Sequence, residues 1–278
     1  MNEKSSVRRR TIMAAGAAAV TATIAGPQQG AVAAGKTDDG PSAPTIVLVH
    51  GAFADGSSWG PVIERLQRSG HHVVAAANPL RGLAADAAHV RGVLAAVEGP
   101  VVLVGHSYGG AVISEAAAGA ANVRALVYVA AFMPDAGEVL GELAARFPGS
   151  ELQPALTAVP GSTADGQPTL DLYLDRNRFR PVFAADVPGT TTRLLAAVQR
   201  PLSASAFTDT ATAAAWRTIP SWNLVATRDR GIPPALQRFQ ARRARSHTVE
   251  VASSHLPLYS RPHEVAALIR AAARSVTS

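Results

Sequence analysis

From Thr45 onward the chain alternates short apolar runs with longer stretches in which apolar positions recur every three or four residues. The runs are Thr45–Val49 (TIVLV), His72–Ala77, Val101–Gly105, Val123–Ala130, Ser221–Thr227 and Thr248–Ala252. Near-continuous apolar runs of this kind fill strands buried on both faces, and such strands build parallel sheets. Between them the spacing predicts a helix through Trp59, Val62, Ile63 and Leu66, capped by Ser57 or Ser58 and stopped by Gly70. Further helices are expected over Leu83–Val97, Ala111–Ala121, Pro234–Arg245 and Arg261–Arg274. Strand and helix in regular alternation imply an α/β fold with a mostly parallel, doubly wound sheet.

The alternation breaks between Asp135 and Thr218, which is richer in Pro, Gly, Thr and Arg and holds only short amphipathic pieces such as Leu170–Leu174 and Thr191–Val198. A compact domain does not leave so long a stretch structureless, so residues 135–218 are expected to form an inserted, mainly helical cap on a core of residues 45–134 and 219–278. Ahead of Thr45, Ser6-Val7-Arg8-Arg9-Arg10-Thr11-Ile12-Met13 resembles a twin-arginine export signal, and Ala31-Val32-Ala33 supplies a small-residue cleavage site. Residues 1–33 therefore read as a leader and 34–44 as a flexible linker. The Thr11–Gly26 stretch is too short and too weakly apolar to span a bilayer, so no membrane anchor is expected after the leader is removed.

Charge changes this picture little. The formal net charge is +6, and the first 33 residues hold Lys4, Arg8, Arg9 and Arg10 against Glu3, which leaves +3 on the rest. So small a surplus, without aromatic residues interleaved in a basic patch, gives no reason to expect nucleic acid as a partner. The run Arg242-Arg243-Ala244-Arg245 reads as a solvated face at a helix C-terminus. With no cysteine in the chain, disulfides, thiolate metal sites and a cysteine nucleophile are excluded.

The chemistry gathers at Val101–Gly110, VVLVGHSYGG. Gly105-His106-Ser107-Tyr108-Gly109 matches G-x-S-x-G between a strand and an Ala-rich helix, the context in which a serine hydroxyl is exposed on a sharp turn. A serine becomes a nucleophile when a base takes its proton and a third group orients that base. The chain order that goes with this turn is Ser, then Asp or Glu, then His. Asp229 and His255 each follow a late strand, where loops gather at the carboxyl edge of a sheet. Asp135 also follows a strand end and stands as the alternative acid. Of the other histidines, His50 is expected to shape the loop after the first strand and His106 to be buried in the turn. His71 and His72 open a strand, and His89, His247 and His263 fall on surface elements. The oxyanion of an acyl-transfer intermediate needs two preorganised donors, expected from the backbone N–H groups of Ala52 and Tyr108. Phe53, Tyr108, Phe132 and Trp216 are candidates to line an apolar pocket under the cap, while the arginines of Arg176–Arg180 are expected to be a solvated cap face.

Taken together, Val47-Leu48-Val49-His50-Gly51-Ala52, Gly105-His106-Ser107, Ala130-Ala131-Phe132-Met133-Pro134-Asp135, Asp229-Arg230-Gly231-Ile232-Pro233, Gln237-Arg238-Phe239-Gln240 and the loop around His255 resemble the α/β-hydrolase superfamily, in particular its branch of plant methylesterases, hydroxynitrile lyases and bacterial esterases. The resemblance covers about Thr45–Ile269 and is weakest in the cap. It implies an α/β-hydrolase fold, Ser107, His255 and Asp229 as a catalytic triad, the Ala52 and Tyr108 amides as the oxyanion hole, and a structural Asp135. No cofactor or metal is implied. The lyases of this branch typically carry threonine at the place of Gly51 and lysine at the place of Leu256, so an exported esterase acting on a small-molecule ester or lactone is the expectation. Carbon–carbon lysis of cyanohydrins and ligand binding with little turnover are the alternatives.

Overall fold

A computed structural model describes residues 43–162 and 165–277. The expected leader at 1–33 and nearly all of the linker at 34–44 lie outside the described residues. In chain order the strands are β1 (Thr45–Val49), β2 (Val73–Ala76), β3 (Val101–His106), β4 (Val123–Val129), β5 (Leu156–Ser162), β6 (Pro168–Leu174), β7 (Leu202–Ser203), β8 (Ser221–Ala226) and β9 (His247–Val251). Six of them form one sheet in the order β2-β1-β3-β4-β8-β9, parallel at every pairing.

Both faces of that sheet are covered, which is why its strands read as unbroken apolar runs. On one face Ile46, Leu48, Val102, Val104 and Val127 pack with Val62 and Leu66 of helix α1 (Gly60–Arg68) and with the C-terminal helix. On the other, Val47, Val49 and Leu103 pack with Leu83, Ala87 and Val90 of α2 (Leu83–Ala95) and with Val112 and Ile113 of α3 (Tyr108–Ala116). Helix α1 is entered through a 3-10 turn whose N-cap is Asp55. The carboxylate of Asp55 accepts the Ser57 N–H at 2.8 Å, so the cap expected from Ser57 or Ser58 comes from the residue upstream.

The chain runs from β1 outward to β2, then crosses back to lay β3 on the other side of β1 and continues through β4, β8 and β9. The loops leaving β1 and β3 therefore diverge, and a crevice opens at the carboxyl ends of these two neighbours. Gly51, Ala52 and Phe53 follow β1 there, and Ser107 follows β3.

Between β4 and β8 the inserted segment is a mixture of sheet and helix. Strands β5, β6 and β7 form an antiparallel three-stranded sheet, alongside α4 (Leu140–Ala145), the single turn α5 (Arg176–Arg178), a π-helical turn over Phe179–Phe183, α6 (Gly189–Val198) and α7 (Ser205–Thr208). Thr191–Val198 is helical as expected, but Leu170–Leu174 belongs to β6. In that strand Leu172 and Leu174 are buried while Leu170 is exposed, a period of two that suits a half-exposed strand. The core closes with α8 (Pro234–Arg243), α9 (Pro257–Ser260) and α10 (Pro262–Thr277). No helix among the described residues is long and apolar enough to cross a membrane. The basic run at the end of α8 is only partly solvated, because Arg243 bonds Glu138 at 2.7 Å and the Met133 carbonyl at 2.7 Å.

Candidate active site

Ser107 sits at φ 54° and ψ −124° between β3 and α3. An L-residue in such a region costs about 1–3 kcal/mol and persists only where its surroundings enforce it. The enforcement is visible. The Ser107 carbonyl accepts the N–H groups of Gly110 and Phe132 at 3.0 and 3.1 Å, and its own N–H donates to the Val129 carbonyl at 3.3 Å. Strand and helix meet so closely that a Cβ on Gly105 would lie 2.5 Å from the Gly109 carbonyl oxygen, and one on Gly109 would lie 2.6 Å from that of Val49. A serine at a helix N-cap usually bonds its own first turn. Here the hydroxyl makes no such bond, and it faces His255 Nε2 at 2.8 Å instead.

His255 follows β9, and its Nδ1 lies 2.7 Å from Asp229 Oδ2. Neither side chain of this pair has exposed surface. Asp229 follows β8. Its Oδ1 accepts the N–H groups of Gly231 and Ile232 at 2.7 and 2.9 Å, and its Oδ2 accepts Gln237 Nε2 at 2.8 Å. Gln237 is fixed in turn from α8, because its amide oxygen accepts the Ala226 N–H of β8 at 3.0 Å. The structure thus brings together Ser107, His255 and Asp229, expected from chain order, and adds Gln237 as the group that braces the carboxylate. Asp135 is engaged elsewhere: its carboxylate bonds Arg217, and those hydrogen bonds hold it below the usual carboxylate range.

Two neutral histidines frame the site. His106 is fully buried and donates from Nε2 to the His255 carbonyl at 2.8 Å. Burial, reinforced by repulsion from His255, lowers its pKa to about 3. His50 is likewise lowered by burial. Its Nδ1 donates to the Gly51 carbonyl at 2.9 Å, and its Nε2 accepts the Asn78 N–H at 3.0 Å. In a trans peptide the C=O and the following N–H point in opposite directions. Holding the Gly51 carbonyl against the imidazole therefore turns the Ala52 N–H away from His50. A Cβ on Gly51 would lie 2.7 Å from the Ser107 Cβ, so no side chain fits there without moving the turn that carries Ser107.

Ala52, Phe53, Tyr108 and Phe132 line one cavity with Ser107, closed from the inserted segment by Leu140, Leu202 and Phe183. Phe53 and Phe183 also line a second pocket with Phe179, Leu195, Leu256 and Tyr259, edged by Asp55, Ser57 and Ser58. Their rings meet edge to face, with centroids 6.1 Å apart, and divide the two compartments. Trp216 is a correction to the expected lining. Its indole N–H donates to the Pro134 carbonyl at 2.8 Å, and Arg217 and Arg243 cover its ring, so it braces the turn after β4. Tyr108 is anchored by donating its hydroxyl to the buried Asp86 at 2.7 Å. Burial raises the pKa of Asp86, partly opposed by this hydrogen bond and by that from the Arg81 N–H. Asp86 was legible as an anomaly, being a charged residue on the apolar stripe Leu83, Ala87, Val90 and Leu94. Asn78 and Phe183 carry no comparable signal, because their roles arise only from contacts across the fold, whereas Gln237 follows Asp229 closely in the chain and falls in the Gln237–Gln240 stretch that carries the resemblance.

With this geometry in place, the chain is seen to belong to the alpha/beta hydrolase family, whose sequence profile matches residues 46–268. Among its relatives is a carbendazim-hydrolysing esterase from Nocardioides sp. (strain SG-4G), 37% identical over 108 residues. That match covers 34% of this chain and 45% of the esterase, so it spans less than half the length of that relative. A pyrethroid hydrolase from Sphingobium faniae JZ-2 is 25% identical and superposes with a TM-score of 0.67 over 84% of this chain and 98% of its own. A methylesterase from Arabidopsis shares the fold at 20% identity, with a TM-score of 0.68 over 82% of this chain and 98% of its own.

The depressed pKa of His106 makes stability depend on pH. The unfolded imidazole binds a proton below about pH 6.5, whereas the folded one stays neutral down to about pH 3. Its contribution is therefore intact above pH 6.5 and declines as the pH falls toward 3. At pH 4.5 it amounts to about 2–3 kcal/mol of lost stability. Urea unfolding at pH 7 and pH 4.5 checks this: His106→Gln, which keeps a donor for the His255 carbonyl, is expected to lose less stability over that interval than the unmodified chain. An equal loss in both would assign the pH dependence to other groups.

Proposed function

We propose that this chain is a serine hydrolase that cleaves carboxylic esters or lactones, with Ser107 as nucleophile, His255 as general base and acid, and Asp229 as the group that orients and stabilises the imidazole. The observation that carries this reading is the continuous line of contacts from the Ser107 hydroxyl to His255 Nε2 at 2.8 Å and from Nδ1 to Asp229 at 2.7 Å. With Nδ1–H donated to the carboxylate, Nε2 presents its lone pair to the hydroxyl. As Ser107 Oγ attacks the ester carbonyl, its proton moves to Nε2. The oxyanion is met by the N–H groups of Ala52 and Tyr108, the latter at the start of α3, where the helix dipole adds positive potential. The tetrahedral intermediate collapses, the alcohol leaves with the proton from Nε2, and water then releases the acid by the same steps in reverse order.

Hydrolysis of esters is supported by the names of the relatives, an esterase acting on carbendazim and a hydrolase acting on pyrethroids. The apolar side chains beside Ser107, among them Phe53, Phe132 and Phe183, suit a substrate with an apolar group next to its carbonyl. Carbon–carbon lysis is disfavoured, because position 51 has no space for a threonine side chain and the buried, apolar Leu256 cannot bear the charge of a cyanide leaving group. Export forms part of the same proposal and rests on the resemblance of Ser6–Met13 to a twin-arginine signal.

Ser107→Ala is expected to lower kcat on p-nitrophenyl esters by at least about 10⁴-fold, with an unchanged far-UV spectrum; retained turnover removes Ser107 from the mechanism. Asp229→Asn is expected to cost about 10⁴-fold in kcat, while Asp135→Asn stays within a few-fold, and the opposite result reassigns the acid. Replacing Arg8, Arg9 and Arg10 by lysine keeps the charge but is expected to retain the precursor inside the cell. Unchanged activity in the medium would refute twin-arginine export.

A further inference from the structure

The segment that carries His255 is held from two sides. On the core side its carbonyl accepts His106 Nε2 at 2.8 Å. On the other side it is held by the inserted segment, at two points three residues apart. The Phe183 ring lies against the imidazole, with centroids 4.5 Å apart. Asp186 takes both donors of Ser254, the residue immediately before the histidine: the Ser254 N–H at 3.1 Å on Oδ2, and the Ser254 hydroxyl on Oδ1.

Asp186 has no evident local task. It lies outside any helix or strand, is exposed, and makes no hydrogen bond or ion pair with another residue among the described residues. A carboxylate left in water gains little from structural bonding at such a site. Here it grips a peptide 68 positions away in sequence. The peptide it grips sets the direction in which the next side chain leaves the backbone, and that side chain must reach Ser107 and Asp229 together. Displacements of about 1 Å in such constellations cost up to about 100-fold in rate.

We propose that Asp186 is a positioning residue for the reaction, acting through Ser254 to hold the His255 imidazole in line with the Ser107 hydroxyl. The inserted segment then does more than cover the substrate, because its Phe179–Phe183 turn and Asp186 complete the alignment of the base. A displacement of that segment misaligns the imidazole while leaving the core sheet intact. This inference rests on the reading of His255 as general base.

The test compares Asp186→Ala, Asp186→Asn, Ser254→Ala, the Asp186→Ala/Ser254→Ala double variant and His255→Ala. Rates are taken per active site counted by the p-nitrophenol burst, so that misfolded molecules do not enter them, except for His255→Ala, whose rate is taken per folded chain by circular dichroism. Asp186→Ala is expected to lower kcat about tenfold with KM within about twofold. Asp186→Asn should recover most of that loss, since the amide oxygen accepts the Ser254 N–H and the amide NH₂ donates to its hydroxyl. Ser254→Ala should lose less than Asp186→Ala, and the double variant should lose no more than Asp186→Ala alone. The proton bridging Asp229 and His255, seen far downfield by ¹H NMR, should shift or broaden in Asp186→Ala. Per-site kcat equal to that of the unmodified chain in Asp186→Ala, or strictly additive losses in the double variant, would overturn the inference. An active His255→Ala would instead overturn the assignment of the base. An inert His255→Ala beside a fully active Asp186→Ala would remove only the role of Asp186.

Discussion

A carboxylate with no exposed surface must find all its hydrogen-bond donors inside the molecule, and Asp229 finds four: the amides of Gly231 and Ile232, the side chain of Gln237 and the imidazole of His255. Those donors come from the loop after β8, from α8 and from the loop after β9. Satisfying one buried charge therefore fixes three separate pieces of chain at the carboxyl edge of the sheet. Removing any donor leaves a buried acceptor partly unmatched, at about 1–3 kcal/mol or more for a charged group. The imidazole is thus held toward the carboxylate by the same contacts that stabilise the fold.

Ser107 is held by a different means. Ser107 adopts a backbone conformation that an L-residue ordinarily avoids, and the close meeting of β3 with α3 forces it there. The same turn lies beside the loop from β1, because the winding of the sheet reverses between these two strands. The proposed nucleophile, the donors proposed for its oxyanion and the apolar cavity around them follow from that reversal. His50 contributes as a neutral hydrogen-bonding group. Burial lowers its pKa, so its Nε2 remains an acceptor for the Asn78 N–H and its Nδ1–H continues to aim the Gly51 peptide.

The core strands were legible because each is buried on both faces and so carries its signal in consecutive residues, as TIVLV does in β1. Ser107, Asp229 and His255 were legible for a related reason: each follows such a run, and their order along the chain is restrictive. The inserted segment was harder to read. β5 is exposed along most of its length, so burial imposes no pattern on its sequence, and the alternation in Leu170–Leu174 was short enough to pass for a helical fragment. Trp216 illustrates another limit. An indole near a pocket in sequence is equally suited to bracing a turn, and its bond to the Pro134 carbonyl is a matter of three-dimensional placement. Asp186 acts on Ser254 across 68 positions, a separation that no local pattern encodes.

Ser107 is proposed to form a covalent acyl-enzyme because His255 and Asp229 activate its hydroxyl. The direct measurement is the intact mass of the protein after reaction with a fluorophosphonate, followed by peptide mapping of the adduct. One phosphonyl group per chain on the peptide containing Ser107, and none when His255 is replaced by alanine and reacted for the same time, is the predicted result. Labelling at another residue, or equally fast labelling of Ser107 without the imidazole, would contradict it.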